Sequence, residues 1–366
     1  MKFNNSIISK FNSKATIQYL ALLLILFLCL SLNISCEKGT EPDQLKPGRR
    51  DYTWTVDTAK TFNTPLMKMW GSSPTNVWAV GSGSSLDQTI WHFDGTEWKT
   101  DNILRAISPW CIYGFAEDNI WIAGSDGEIW HYDGIDWSES LSYNKELKYH
   151  YYNIYFMDIW GENPNDIYAV GLADSSNVGL ADVRFGIMMH YDGTKWSRVD
   201  MEFTEGIFMG IRKGSKTSHK YFIYNLIQFK NPDSAKYFEF DRENLNEIQS
   251  SQDRWHSLTI IDDEVVFTID NGIYTFENNS FNLITKNPYF NNFQGVFGRN
   301  RKDIIWTMDN GLTHYNGTNF EYILNFENYQ LNDGFIRLKD GVVFEKEVFF
   351  VTHGNSNNYI FHGVLK

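Results

Sequence analysis

The sequence predicts an all-β chain: a seven-bladed β-propeller whose last blade is closed by the N-terminal strand. Three observations predict it: a phrase that recurs along the chain, a hairpin signal inside each copy, and two ends that complete one another. The phrase runs Trp70-Gly71, then Asn76-Val77-Trp78-Ala79-Val80-Gly81, then His92-Phe93-Asp94-Gly95 and Trp98. It returns as Tyr113-Gly114, Asn119-Ile120-Trp121 and His131-Tyr132-Asp133-Gly134, and again as Trp160-Gly161, Asp166-Ile167-Tyr168 and His190-Tyr191-Asp192-Gly193. A worn copy holds Phe297-Gly298, Asp303 to Trp306 and His314-Tyr315-Asn316-Gly317. Self-similarity at this period marks a repeat architecture.

Each copy has one grammar. An apolar stretch ends in aromatic-Gly, a short loop ends in Asn or Asp, and a β-rich run follows. Asp-Gly between two aromatic-rich runs then signals a hairpin, with a type I′ turn as the expectation because that turn wants positive φ at both central residues. Four short antiparallel strands per unit is the layout of one propeller blade. Phe240-Asp241-Arg242 and Phe276-Glu277-Asn278 carry the same grammar through the degenerate middle, so units begin near residues 64, 104, 154, 205, 253, 291 and 330. Tyr52 to Asp57 reads as a fourth strand with no first three, and Tyr359 to Leu365 as a third strand with no fourth. Pairing them closes the ring and removes the exposed strand edges.

The repeats resemble those of bacterial extracytoplasmic β-propellers, and their Asp-Gly turns distantly resemble the Asp-box of sialidase-like propellers, which spaces its Asp and Gly by one residue. The first resemblance implies a binding platform or assembly factor, with enzymes as a minority. The second implies an alternative, a glycan-active enzyme, which would need arginines, a tyrosine and acids converging on the central channel. Arg105, Arg212 and Arg337 lie on or near first strands but share no register relative to the repeat glycines, so no catalytic residue is assigned.

The N-terminus reads as an export signal. Lys2, Lys10 and Lys14 precede an apolar run from Tyr19 to Leu32 that is short for a membrane span. Leu32-Asn33-Ile34-Ser35-Cys36 resembles the lipobox of bacterial lipoproteins, with its leucine one place further back than usual. The domains expected are a signal peptide at 1–35, a tether at 36–50 and the propeller at 51–366. Cys36 is the lipidation residue, and the resemblance places the protein in the cell envelope, exported and lipid-anchored at the outer membrane or cell surface. The full chain carries a net charge of −13, and removing residues 1–35, with their three lysines and no acid, makes it −16. That balance disfavours nucleic acid as a partner. Cys111 is then the one thiol in the body, which excludes an internal disulfide and reads as a buried structural residue.

The conspicuous repeat residues have structural readings. Trp70, Trp78, Trp98, Trp121, Trp137, Trp160, Trp196 and Trp306 recur blade after blade and are expected to pack neighbouring sheets. His92, His131, His190 and His314 share one register, so the ring carries them apart, whereas zinc wants its ligands within about 2 Å of one point. No metal or cofactor is expected. Asp94, Asp133 and Asp192 belong to turns. Recognition is placed instead on the rim with variable loops: Ser82–Asp87, Ser142–Tyr152, Leu172–Val183, Lys230–Ser234 and Gly354–Asn358. The candidate binding residues there are Lys145, Lys148, Tyr149, His150, Tyr151, Tyr152, Asp174 and Asp182. The function expected is non-catalytic binding of a protein or glycan by a monomeric, lipid-anchored ring.

Overall fold

The computed structural model describes residues 45–61, 64–83, 85–143, 153–174, 184–214, 218–228, 233–252, 256–289, 295–331, 333 and 336–366. The compact unit is Lys46–Lys366. It takes in Lys46 to Arg50, which the sequence reading assigns to the tether. Residues 1–35, expected to be a signal peptide, and Cys36 lie outside the described residues.

The described strands form seven four-stranded antiparallel sheets, and the protein is a seven-bladed β-propeller. Six blades are built from consecutive strands. The seventh joins the N-terminal strand Tyr52–Ala59 to the last three strands of the chain. The closing pair runs in unbroken antiparallel register from Tyr52 opposite Leu365 to Ala59 opposite Asn358. The innermost strands are Leu66–Ser73, Pro109–Ala116, Asn153–Asn163, Ile207–Lys213, Ser257–Ile261, Val296–Asn300 and Arg337–Val343. The core lies between neighbouring blades. Cys111, Trp121 and Ile129 of blade 2, for example, pack on Ile154, Phe156 and Ile159 of blade 3.

The glycine towards the end of the second strand in blades 1 to 3 has a steric reason. A Cβ on Gly81 would stand 1.9 Å from the carbonyl oxygen of Pro65, and one on Gly171 1.8 Å from that of Tyr155. The Asp-Gly turns differ from the type I′ expectation. Only the glycine has positive φ, at 91° for Gly95, and the connection is four residues long, because Phe93 pairs with Trp98. Asp94 Oδ1 instead accepts from the backbone N–H of Thr96 and of Glu97, at 3.0 and 3.2 Å. The aspartate is there to bond the loop's amides. A two-residue turn with both central φ positive occurs at Asn278-Asn279, between the paired Glu277 and Ser280.

Trp306 corrects the reading of the worn repeat. Trp78 pairs with His92, and in blade 6 it is Ile305 that pairs with His314. Trp306 stands one residue later, and a one-residue step puts a side chain on the opposite sheet face. Its ring packs in the cluster with Ile261, Ile273 and Phe320.

Candidate functional site

The short-loop rim carries a repeated clasp. The ring Nε2 of His92, His131, His190 and His314 lies 2.7, 3.0, 2.7 and 2.8 Å from a side-chain oxygen of Asn76, Asn119, Asp166 and Asp303, respectively. In blades 1 and 2 the same amide oxygen also accepts from Trp78 Nε1 at 2.9 Å and Trp121 Nε1 at 2.8 Å. In blades 1 to 3 the histidine ring packs beside its blade's aromatic, with centroids 4.1 Å apart for Trp78 and His92, 4.2 Å for Trp121 and His131, and 4.5 Å for Tyr168 and His190. Blade 7 holds a fifth copy that the sequence hides, in which His362 bonds Glu347 at 2.7 Å and stacks on Phe349 at 4.0 Å. These histidines are spent on their own blades. Among the described residues no group of three His, Cys, Asp or Glu side chains could hold a metal ion.

In blade 6 the clasp is charged and its histidine is fully buried. Arg50 Nε donates to His314 Nδ1 at 3.2 Å, and its Nη2 donates to the carbonyl of His314 at 3.0 Å. An arginine only donates, so Nδ1 carries no proton and Nε2–H donates to Asp303: the imidazole is neutral in one fixed tautomer. Arg299 Nη1 reaches Asp303 at 3.1 Å and the hydroxyl oxygen of Tyr52 at 3.0 Å. Burial opposes ionisation of Asp303, yet the His314 and Arg299 contacts hold its carboxyl below the usual carboxylate range. This cluster therefore fastens the start of the chain to blade 6.

The arginines proposed for the enzyme alternative do not converge. Arg105 is buried outside the channel against Asp101, at 2.6 Å. Arg337 is exposed at the start of its strand. Arg212 stands in the channel, where its guanidinium pairs with Asp158 at 2.5 Å. Asp158 also accepts from the backbone N–H of Ile211 in the next blade, at 3.0 Å. Asp340 does the same for Met69, at 2.9 Å, with Lys68 3.7 Å away. Both channel carboxylates thus lock adjacent blades. Cys111 is 1% exposed between them and the core, and burial pushes its thiol well up, which leaves it a structural residue.

Asp340 makes a pH prediction. Burial raises its folded pKa above the ordinary 3.8 despite Lys68 and two backbone amides. Above 3.8 the native state therefore binds more protons than the unfolded chain, so stability falls as pH rises through the folded pKa. Asp340→Asn keeps an acceptor for Met69 and removes the charge. It is expected to raise Tm at pH 7 by roughly 2 °C, with the gain fading in acid. A lower Tm at pH 7 would show that the Lys68 pair outweighs the cost of burial.

The other mouth of the channel is built by an irregularity. Register shifts leave one unpaired residue in five innermost strands: between Leu66 and Lys68, Pro109 and Cys111, Phe156 and Asp158, Phe208 and Gly210, and Leu338 and Asp340. The extra residues are Met67, Trp110, Met157, Met209 and Lys339. All five line one cavity of about 610 Å³, with Tyr155, Leu172, Ile207 and Gln228 beside them. A bulge re-aims a side chain out of the pleat, and bulges concentrate beside functional sites. The cavity opens where second strands end, on the variable-loop rim, and Asp174 lines it. Asp174 is the one candidate binding residue among the described residues; it lines this cavity and pairs with Arg184 at 3.0 Å. Lys145, Lys148, Tyr149, His150, Tyr151, Tyr152 and Asp182 lie outside the described residues.

The bulge residues carry a sequence signal that the repeat reading passes over. Met67, Trp110 and Met157 each stand four residues before a repeat glycine, at Gly71, Gly114 and Gly161. A second cavity of about 550 Å³, lined by Trp70, Tyr113, Trp160 and Arg212, occupies the short-loop end of the channel. Two further cavities between strands of blades 3, 4 and 5 enclose charges already paired, Lys220 with Glu239 at 2.7 Å and Lys236 with Glu247 at 2.6 Å.

No protein-family model matches the chain, and no curated protein matches it. Solved structures match across almost the whole ring. A structure of YCF48 bound to D1 peptide has a TM-score of 0.59 at 12% identity, covering 88% of this chain and 100% of that one. A catalytically inactive virginiamycin B lyase from Staphylococcus aureus, with quinupristin, has a TM-score of 0.59 at 11% identity, covering 84% of this chain and 99% of that one. The WD40 propeller domain of Doa1 has a TM-score of 0.56 at 9% identity, covering 85% and 97%. At these identities the likeness is one of fold, and this chain is similar to all three as a β-propeller.

Proposed function

We propose that the protein is a non-catalytic binding platform that receives a polypeptide at the channel mouth on its variable-loop rim. The observation that carries this is the alignment of five bulges, which delivers three methionines, a tryptophan and a lysine to one cavity. The volume, about 610 Å³, lies within the range of ligand sites. Methionine and aromatic side chains suit varied apolar partners, because the thioether adapts its shape and the rings supply area at low entropic cost. Glycans would want more polar groups at the site: Gln228 is the neutral amide present, and Asp174 is engaged by Arg184. The structural neighbours include a protein holding a peptide and a lyase holding quinupristin, so the fold by itself selects neither chemistry.

The N-terminal sequence supports an exported, lipid-anchored platform in the cell envelope, with Cys36 as the modified residue. Among the described residues no helix is long and apolar enough to cross a membrane.

The test is affinity capture from detergent-solubilised envelopes, with a glycan array beside it. Met157→Asp is expected to reduce capture about tenfold, the scale of a central interface residue. Ile135→Asp, a change at a residue 88% exposed on the opposite rim, should leave it intact. Equal capture by both variants, or strong glycan binding alone, would move the site elsewhere. A Cys36→Ser change should abolish palmitate labelling and release the protein from the membrane fraction. Retention of both would remove the anchor from the proposal.

A further inference from the structure

The charges at the mouth do not cancel. The charged side chains lining the cavity are Lys68, Asp174 and Lys339. Lys68 has Asp340 at 3.7 Å, and Asp174 has Arg184 at 3.0 Å. Lys339 has no carboxylate within ion-pair distance among the described residues. It is half-buried at a bulge, where burial and the neighbouring Arg337 charge both push its ammonium below the ordinary lysine value. A half-buried cation with no counter-ion among the described residues costs free energy, and a ligand carboxylate would remove that cost. The setting sharpens the point, because the chain as a whole is acidic at −13. A cationic spot on an acidic protein, set in an apolar wall, discriminates among ligands by charge.

We infer that the mouth recognises an acidic-apolar peptide segment, with a carboxylate against Lys339 and flanking apolar side chains against Met67, Trp110, Met157 and Met209. This rests on the reading of the mouth as a polypeptide site. The geometry separates the two contributions around the ring. Blades 1 to 4 supply the thioethers and the indole, and blade 7 supplies the cation. Blade 7 adjoins blade 1 in the closed ring, where Asp340 bonds Met69, so the bound segment follows the arc from Met209 to Lys339 with its acid at the blade 7 end. A wholly apolar segment would leave Lys339 buried more deeply and still unpaired, which is the more costly arrangement.

The experiment uses the ring from Lys46 with 13C-methyl methionine, read by NMR. The probes are capped hexapeptides of alternating leucine and glutamate, and the same peptides with glutamine for glutamate. The acidic peptide is expected to shift the methyl signals of Met67, Met157 and Met209 and to bind about tenfold tighter than its glutamine counterpart. Lys339→Met is expected to bring the two peptides within about twofold of each other. That variant removes a desolvated charge and keeps the length of the side chain, so folding is retained. Equal binding of both peptides to the wild-type ring, with the methyl shifts present, would overturn the charge inference and leave the mouth a peptide site. So would an unchanged preference in Lys339→Met. If neither peptide moves those three methyls, both this inference and the reading it rests on fall.

Discussion

Removing Lys46 to Ala59 is expected to abolish cooperative folding of the ring. The deletion strips eight residue pairs from the last blade and leaves the strand Asn358–Leu365 as an open edge. It uncovers Tyr359 and Phe361, which are 4% and 0% exposed in the closed ring. It also removes Arg50, whose loss orphans His314 and the carbonyls that it bridges, and Trp54, whose indole donates to the carbonyl of Ile323 in blade 6 at 3.0 Å. These losses together exceed roughly 5 kcal/mol, the lower end of what a whole domain has to spare. A flat, unpaired edge also invites pairing with another chain. The truncated protein should elute as aggregate and lack a cooperative thermal transition. A synthetic peptide spanning Arg50 to Ala59, added during refolding, should restore a monomer with a measurable Tm. A truncated chain that is monomeric with an unchanged Tm would show that six blades and a three-stranded seventh suffice.

The second large effect separates two copies of one clasp. His314→Ala is expected to cost roughly 3 kcal/mol, the upper end for losing a buried hydrogen bond to a charged group. The His314 side chain is 0% exposed and the Asp303 side chain 9%, so the substitution leaves Asp303 and Arg50 facing a void. His92→Ala removes a half-exposed hydrogen bond to a neutral amide and is expected to cost about 1 kcal/mol. Urea denaturation of the two variants measures the contrast, and equal costs would show that the clasps act by ring packing alone. The pH dependence has a definite sign. The folded pKa of Asp303 is depressed below 3.8, so its contribution is fully present above that value and is lost as pH falls through the folded pKa. The stability gap between wild type and Asp303→Asn should therefore be widest near neutrality and close in acid.

The clasps show how far the repeat could be read. Histidine, Asn or Asp, and an aromatic recur at fixed offsets, so their structural role follows from periodicity. That they bond one another needs the pairing of second with third strands, which sets Trp78 opposite His92 and Phe349 opposite His362. Blade 7 kept that geometry while its letters changed to Glu347 and Phe349, so no search on the phrase finds it. Arg242 makes the same point in blade 4. It replaces the turn glycine at a φ of 81° and reaches across to Asp166 of blade 3, at 2.6 Å. Nothing in its local sequence points to that partner, because the contact is between blades.

The sequence by itself determined the ring. Seven units, their strand order and the closure by the first strand all follow from local signals: alternation, turn residues and the complementary ends. Periodicity is a local property, and each blade repeats it. The tertiary structure decided what the ring presents. A bulge exists only against a partner strand, so the extra residue at Met67, Trp110, Met157, Met209 and Lys339 is invisible until the register is known. The cavity exists only when five such strands face one axis. The charge left over at Lys339 appears only when each neighbour's counter-ion has been placed in space. Function on a repeat scaffold sits where the blades differ, and those differences meet only at the centre of the closed ring.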